Sequence, residues 1–174
     1  LLVAVGTDIP VGAQLERIEV EVSSPDAPAA VSRRTIVVSA TPMPPFTVAM
    51  PFSFGVVPHG GDAARQVQVV VRGRFAASGL RDRVVSTAIT GFVEHASLLL
   101  PMFLEQVCVD VTSCEAGYTC VGGRCRDAHR PVSELRAIDP ASSTDPAALA
   151  SLLSPDASAE APRDVAPSAP ADRL

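Results

Sequence analysis

The 174-residue sequence contains no Lys, no Asn and no Trp, a single Tyr, and only 4% aromatic residues. Stacking on sugars or on unpaired bases needs exposed π faces, so a carbohydrate cleft and a single-stranded nucleic-acid surface are disfavoured at once. All 14 basic residues are Arg; with Lys and Asn missing, this reads as the codon bias of a GC-rich genome rather than as a phosphate-binding signal. A net charge of −5 gives no general attraction to nucleic acid or to an anionic membrane surface. Long hydrophobic runs are absent too. The best candidate, Leu98 to Leu104, is interrupted by Pro101 and falls far below the ~18 residues that a membrane-spanning helix requires. There is no Gly-x-Ser-x-Gly elbow and no Asp-x-Asp-x-Asp calcium loop, and the pairs Gly60-Gly61 and Gly122-Gly123 lack the Lys of a phosphate loop.

What is present is enough to fold. Hydrophobic residues make up 47% of the chain, ample for a buried core. From Leu1 to about Val107 short β-type runs are broken every eight to twelve residues by Pro, Gly, Asp or Ser, which is the spacing of an all-β sandwich of six to eight strands. In Gln66–Phe75, Val67, Val69, Val71 and Phe75 alternate with Gln68, Val70, Arg72 and Arg74, so one face is expected inside and the other in water. Ile18, Val20 and Val22 alternate with Arg17, Glu19 and Glu21 in the same way, as antiparallel sheets with one wet face allow. Further strands are expected at Leu2–Gly6, Thr35–Ser39, Val84–Val93 and Leu98–Val107, with a turn at Glu94–Ser97. Phe46 and Val48 before Pro51 share parity with Phe52, Phe54 and Val56 after it, which suggests two strands or one bent strand with the proline at an edge or corner. The segment Val57–Asp62, with its Pro and paired Gly, is expected as the loop of a hairpin into the Gln66 strand. The fold class that follows is an antiparallel Ig-like or transthyretin-like β-sandwich over residues 1–107.

All four cysteines lie together, at Cys108, Cys114, Cys120 and Cys125, with five, five and four residues between them. A small disulfide-stapled module over 108–130 is the first reading, since Gly117, Gly122 and Gly123 supply tight turns between the sulfurs. Four cysteines allow three pairings; the interleaved one, 108–120 with 114–125, is the one expected here. The competing reading is a four-thiolate zinc site, which wants close Cys-x2–4-Cys knuckles, and the sequence has no Cys-x-x-Cys. Disulfides imply an oxidising compartment.

Beyond the module, residues 131–174 shift to Ala, Pro, Ser and Asp, and an acidic, mostly disordered tail is expected there. Within it Asp145-Pro146, followed by Leu149, Leu152 and Leu153 before Pro155, marks a short helix with an Asp cap and Pro at its first position. In isolation such a helix is marginal.

Val3-Ala4-Val5-Gly6-Thr7-Asp8-Ile9-Pro10, then Leu15-Glu16-Arg17-Ile18-Glu19-Val20, then Pro51-Phe52-Ser53-Phe54-Gly55-Val56-Val57-Pro58, and finally Cys114 to Cys125, form an order that resembles predicted exported lipoproteins of GC-rich soil bacteria. The resemblance spans residues 1 to about 135, with Gly117 to Cys125 matching the group's closing cysteine knot. It implies a cell-envelope location and carries no activity, catalytic residue or cofactor. The chain opens at Leu1 without a Met or a basic leader and holds no lipobox cysteine, so the expectation is a removed signal or a longer precursor, with any lipid anchor upstream of Leu1.

Candidates for chemistry are few. Asp8, Glu16 and Asp62 are loop carboxylates that would form a calcium site if gathered at one end of the sandwich; turn formation by Asp8 and Asp62 is the plainer account. His59, beside Gly60-Gly61-Asp62, is a weak loop-site candidate against the reading of an exposed turn histidine. His95 sits between Glu94 and Ser97, but neighbours on a tight turn do not meet in triad geometry, and His129 lies past the cysteines. Arg33-Arg34 and Arg81-Asp82-Arg83 read as charged protection of strand edges. The functional expectation is therefore a non-catalytic exported envelope or surface protein without cofactor, acting on a protein partner or by self-association. A subunit of an extracellular assembly or filament is the alternative, and an accessory domain of a secreted hydrolase comes last.

Overall fold

The computed structural model describes residues 1–25, 27–75, 82–111, 114–139 and 146–153. In chain order its elements are β1 (Leu2–Thr7), β2 (Leu15–Ser24), β3 (Ala27–Val37), β4 (Phe52–Gly55), β5 (Val67–Phe75), β6 (Asp82–Thr90) and β7 (Leu98–Leu104). Then come β8 (Tyr118–Val121), β9 (Arg124–Asp127), β10 (Arg136–Ala137) and a single helix, α1 (Pro146–Leu153). The fold is mostly β, as the runs of Val, Ile and Thr favour.

The strands form two four-stranded sheets, ordered β10-β7-β1-β4 and β3-β2-β5-β6, and a small β8-β9 hairpin. Every strand pair is antiparallel except β1 with β7, which run parallel from Leu2↔Leu99 to Thr7↔Leu104. That pair departs from a purely antiparallel expectation for a simple reason: the two strands are joined through most of the chain, so no hairpin dictates their relative direction. Pro101 lacks an N–H but sits harmlessly in β7, because β10 pairs only with Leu98 and Leu99 and stops before reaching it.

Side chains from both large sheets meet in one core. Val3 and Val5 of β1, Leu100, Met102 and Leu104 of β7, Ile18 and Val20 of β2, and Val69 and Val71 of β5 belong to the same buried cluster. Gly73 lets β5 pass close to its neighbours: a Cβ there would stand 2.6 Å from Val84 Cγ1 and 2.9 Å from Leu15 Cδ1. On the opposite face of β2 and β5 the expected charges form a ladder, with Arg74 on Glu19 at 2.5 Å, Arg72 on Glu21 at 3.2 Å and Arg33 on Glu21 at 2.9 Å. Desolvation would raise the Glu21 carboxyl, but the hydrogen bonds and charges of Arg33 and Arg72 outweigh it and hold that group below the usual range.

Three expectations need correction. Val57–Asp62 does not close a hairpin: β4 pairs with β1, while β5 lies in the other sheet, so the loop crosses between sheets. Val70, placed in water by alternation, is buried, because the segment around Val111, Glu115 and Tyr118 lies over that part of the β5–β6 outer face. A tail disordered from residue 131 onward does not describe 131–139 and 146–153. There β10 extends the first sheet, and α1 lays Leu149 against Ala4 and Leu99, with Leu152 and Leu153 beside it. Docking of this apolar stripe supplies what the short helix lacks alone. The Asp145 cap and residues 154–174 lie outside the described residues.

Candidate functional site

The two lateral margins of the β3-β2-β5-β6 sheet end differently, and that contrast locates the site. At the β6 margin the cysteine segment is attached rung by rung. Asp110 N–H donates to the Arg83 carbonyl at 2.7 Å, and Thr87 N–H donates to Thr119 Oγ1 at 2.9 Å. Ile89 N–H donates to the Ala128 carbonyl at 2.9 Å, while Arg130 N–H returns to the Ile89 carbonyl at 2.8 Å. Thr90 Oγ1 donates to the Arg130 carbonyl at 2.7 Å. An edge so covered offers little to another strand.

Disulfides hold this cover in place. Cys108 is joined to Cys120 and Cys114 to Cys125, with Cα–Cα separations of 5.9 and 5.6 Å. Cys108 and Cys120 belong to the main buried core rather than to a core of their own, so the 108–130 module and the 1–107 region share their interior. Glu105 accepts the Gly122 N–H at 2.6 Å, tying the β8–β9 turn to the end of β7. Arg83 stacks 5.2 Å from the Phe75 ring and grips Asp110 through both of its carboxylate oxygens. That grip keeps the Asp110 carboxyl below its usual range.

At the other margin β3 lies opposite β4, and the space between them is open. The groove has a volume of about 580 Å³. Its walls are Val20 and Val22 of β2, Ile36 of β3, and Phe52 and Phe54 of β4, with the two rings 6.4 Å apart. Arg34 and Val48 stand at its mouth. Phe52 and Phe54 face inward because β4 pairs them with Val5 and Val3 of β1. A groove lined by aliphatic and aromatic side chains with one charged group is the usual make-up of a binding site. Among the described residues, six of the ten exposed large apolar side chains fall between Val31 and Val57, including Phe46 at 73% and Val57 at 83% exposure. Of these six, Val48 and Val57 line the groove itself.

The carboxylates singled out in the sequence are not gathered. Asp8 follows the C-terminal end of β1 and accepts the Gln106 N–H at 2.6 Å. Asp62 belongs to the loop leaving β4, whose Gly55 pairs with Leu2 at the other end of β1 from Asp8. Asp62 instead caps its own turn, accepting the Ala64 N–H at 3.1 Å and pairing with Arg65 at 3.2 Å. The Glu16 carboxylate pairs with its neighbour Arg17 at 3.8 Å. A turn thus accounts for Asp62, a long-range contact with Gln106 for Asp8 and a neighbouring arginine for Glu16, and the three carboxylates do not converge. His59 starts a short 3-10 turn, Pro58 preceding it; its side chain lies outside what is described. His95 occupies a turn with φ of 58°. His129 pairs with Asp127 at 3.0 Å, and the His129 N–H and ring together depress the Asp127 carboxyl. Among the described residues no three His, Cys, Asp or Glu side chains converge as a metal set, and no helix is long and apolar enough to cross a membrane.

Sequence reasoning missed Arg34 and the Phe52–Phe54 pair as site residues. A faint signal exists: Arg34 shares parity with Ile36 and Val38, so extending the Thr35–Ser39 strand back by one residue would have put it on the inner face. No protein-family model matches this chain, and neither does any curated protein or solved structure at significance.

Proposed function

We propose that this chain is a non-catalytic exported protein of the cell envelope or cell surface, serving as a protein-binding or structural element on a transthyretin-like β-sandwich. The strand order supports that topology over the immunoglobulin-like one. In the latter the first, second, fifth and fourth strands share a sheet, whereas here β1 sits between β4 and β7 while β2 and β5 lie in the other sheet. Two bridges using all four cysteines fit an oxidising compartment, and so does the resemblance to exported lipoproteins. The polar side chains weighed for chemistry are engaged in turns and caps, as Asp8, Asp62 and His129 illustrate.

The observation that carries the binding role is the contrast between margins: one edge is sealed by a disulfide-held cover, while the other faces an apolar groove. The test is to isolate the tagged chain from its host without reductant, fractionate the cells, and weigh the protein after alkylation with and without prior reduction. Recovery from the envelope or culture fluid, with no alkylation before reduction and four adducts after it, is the expected result. Recovery from the cytoplasm with four reactive thiols overturns the reading.

A further inference from the structure

The inner face of β3 presents Ser32, Arg34 and Ile36, directly opposite Val22, Val20 and Ile18 of β2. Arg33, on the outer face, is held by Glu21. Arg34 is exposed at the groove mouth and has no hydrogen-bond or ion-pair partner among the described residues. An unpaired cation stands beside an apolar floor.

The backbone of the same strand is also unused. The Val37 carbonyl points away from β2 and accepts the Val48 N–H at 3.0 Å, and the Val48 carbonyl accepts the Ser39 N–H at 3.1 Å. Because N–H and C=O directions alternate along a strand, Thr35, Arg33 and Val31 aim theirs the same way. No described residue pairs with them there. Val48 therefore makes the first rung of an added strand, and the chain then departs through Pro51 into β4. The next rungs stand open.

We propose that β3 binds an extended segment of a partner protein by strand addition. One apolar side chain of that segment enters the groove near Ile36 and Phe54, and a carboxylate two residues away on the same face pairs with Arg34. This rests on the protein-binding reading above and names its site and partner chemistry. Main-chain bonds supply affinity in this mode, and alternate side chains supply specificity. The required pattern is apolar-x-acidic in an extended segment. Charge complementarity favours it over a second copy: two β3 edges related by a two-fold axis centred on the open run place Arg33 across from Arg33, or Arg34 across from Arg34, and like charges directly opposed destabilise a pair. A small amphiphile would use the groove and Arg34 but none of the three open backbone positions.

The experiment pans a phage-displayed library of random nonapeptides on the intact, disulfide-bonded chain, with Arg34→Glu and Thr35→Pro variants as counter-screens. Both changes lie on an exposed edge, and circular dichroism with thermal melting verifies that each variant folds. The expected outcome is enrichment of the apolar-x-acidic pattern. Binding of the best synthetic peptide, followed by fluorescence polarisation, should fall at least tenfold with either variant and on N-methylation of its edge-pairing amides. Arg34→Glu should recover binding when the peptide acid is changed to Lys. No enrichment over an empty surface, enrichment without the pattern, or peptides indifferent to N-methylation and to both variants each overturns the proposal. Oleate that competes with a peptide insensitive to N-methylation assigns the groove to an amphiphile instead, and also overturns it. These failures leave the export reading standing whenever the two bridges are intact; four free thiols in the native protein sink that reading whatever the peptides do.

Discussion

β6 and β3 bound the same sheet, yet one is closed and the other open. β6 is closed by chain that follows it, returned across its edge and pinned by two bridges. β3 is left with a single Val48 rung and two arginines. Edge protection here is thus covalent and structural on one side, and electrostatic on the other. Charge discourages indiscriminate pairing but leaves selective pairing possible.

The sharpest way to break the contrast is to remove the cover. Replacing Cys108 and Cys120 together by Ser should cost about 2–5 kcal/mol, as losing a bridge from a small secreted domain does. Native-state hydrogen exchange should then speed up at Thr87 and Ile89 and change little along β3. Equal acceleration along both strands would mean that the bridge stabilises the whole fold rather than the β6 margin. Gly73→Ala comes next. The added methyl meets Val84 of β6 and Leu15, and overpacking of this kind costs roughly 1–3 kcal/mol, to be read from a denaturant midpoint. Thr119→Val is milder: it leaves the Thr87 N–H without its acceptor and should cost about 1–2 kcal/mol, again with faster exchange at Thr87.

Acid should act on both margins, because Asp110 and Asp127 belong to the cover and Glu21 to the ladder beside β3. All three carboxyls are held below their ordinary values. Their stabilisation is therefore complete above the unfolded values near pH 4 and is lost as pH falls through the lower folded values. A melting-temperature titration should stay flat from about pH 7 to 5 and drop below about 4; a drop already complete by about pH 5 would mean that these carboxyls are not what acid acts on. The smallest effect belongs to Arg34→Glu, which should change stability by less than about 0.5 kcal/mol. A larger loss would mean that Arg34 supports the fold instead of standing free.

Much of this architecture was legible before any coordinates. Alternation marked β2 and β5, whose inner residues do enter the core, and Pro-Gly punctuation marked a break between β4 and β5, though not the hairpin expected there, since the two strands lie in different sheets. The short helix announced itself through Asp145-Pro146 and its leucines. The misses share a cause. Val70 has the parity of a wet residue and is buried by a segment more than forty positions away. Residues 131–139 have the composition of a linker, yet Arg136–Ala137 within them become a sheet edge, since β10 borrows its partner from β7. The site was the least visible part: neither Arg34 nor Phe52–Phe54 forms a motif, and they come together only across two sheets.

By itself, then, the sequence determined which residues turn inward along each strand, because side-chain parity is a local property of an extended chain, and it determined that four clustered cysteines would staple one region. Tertiary structure decided which strands became edges, which of those edges the stapled segment reached, and where the remaining apolar surface stayed open. Such choices depend on contacts between residues far apart in the chain, whose loop-closure cost and mutual fit no local pattern records.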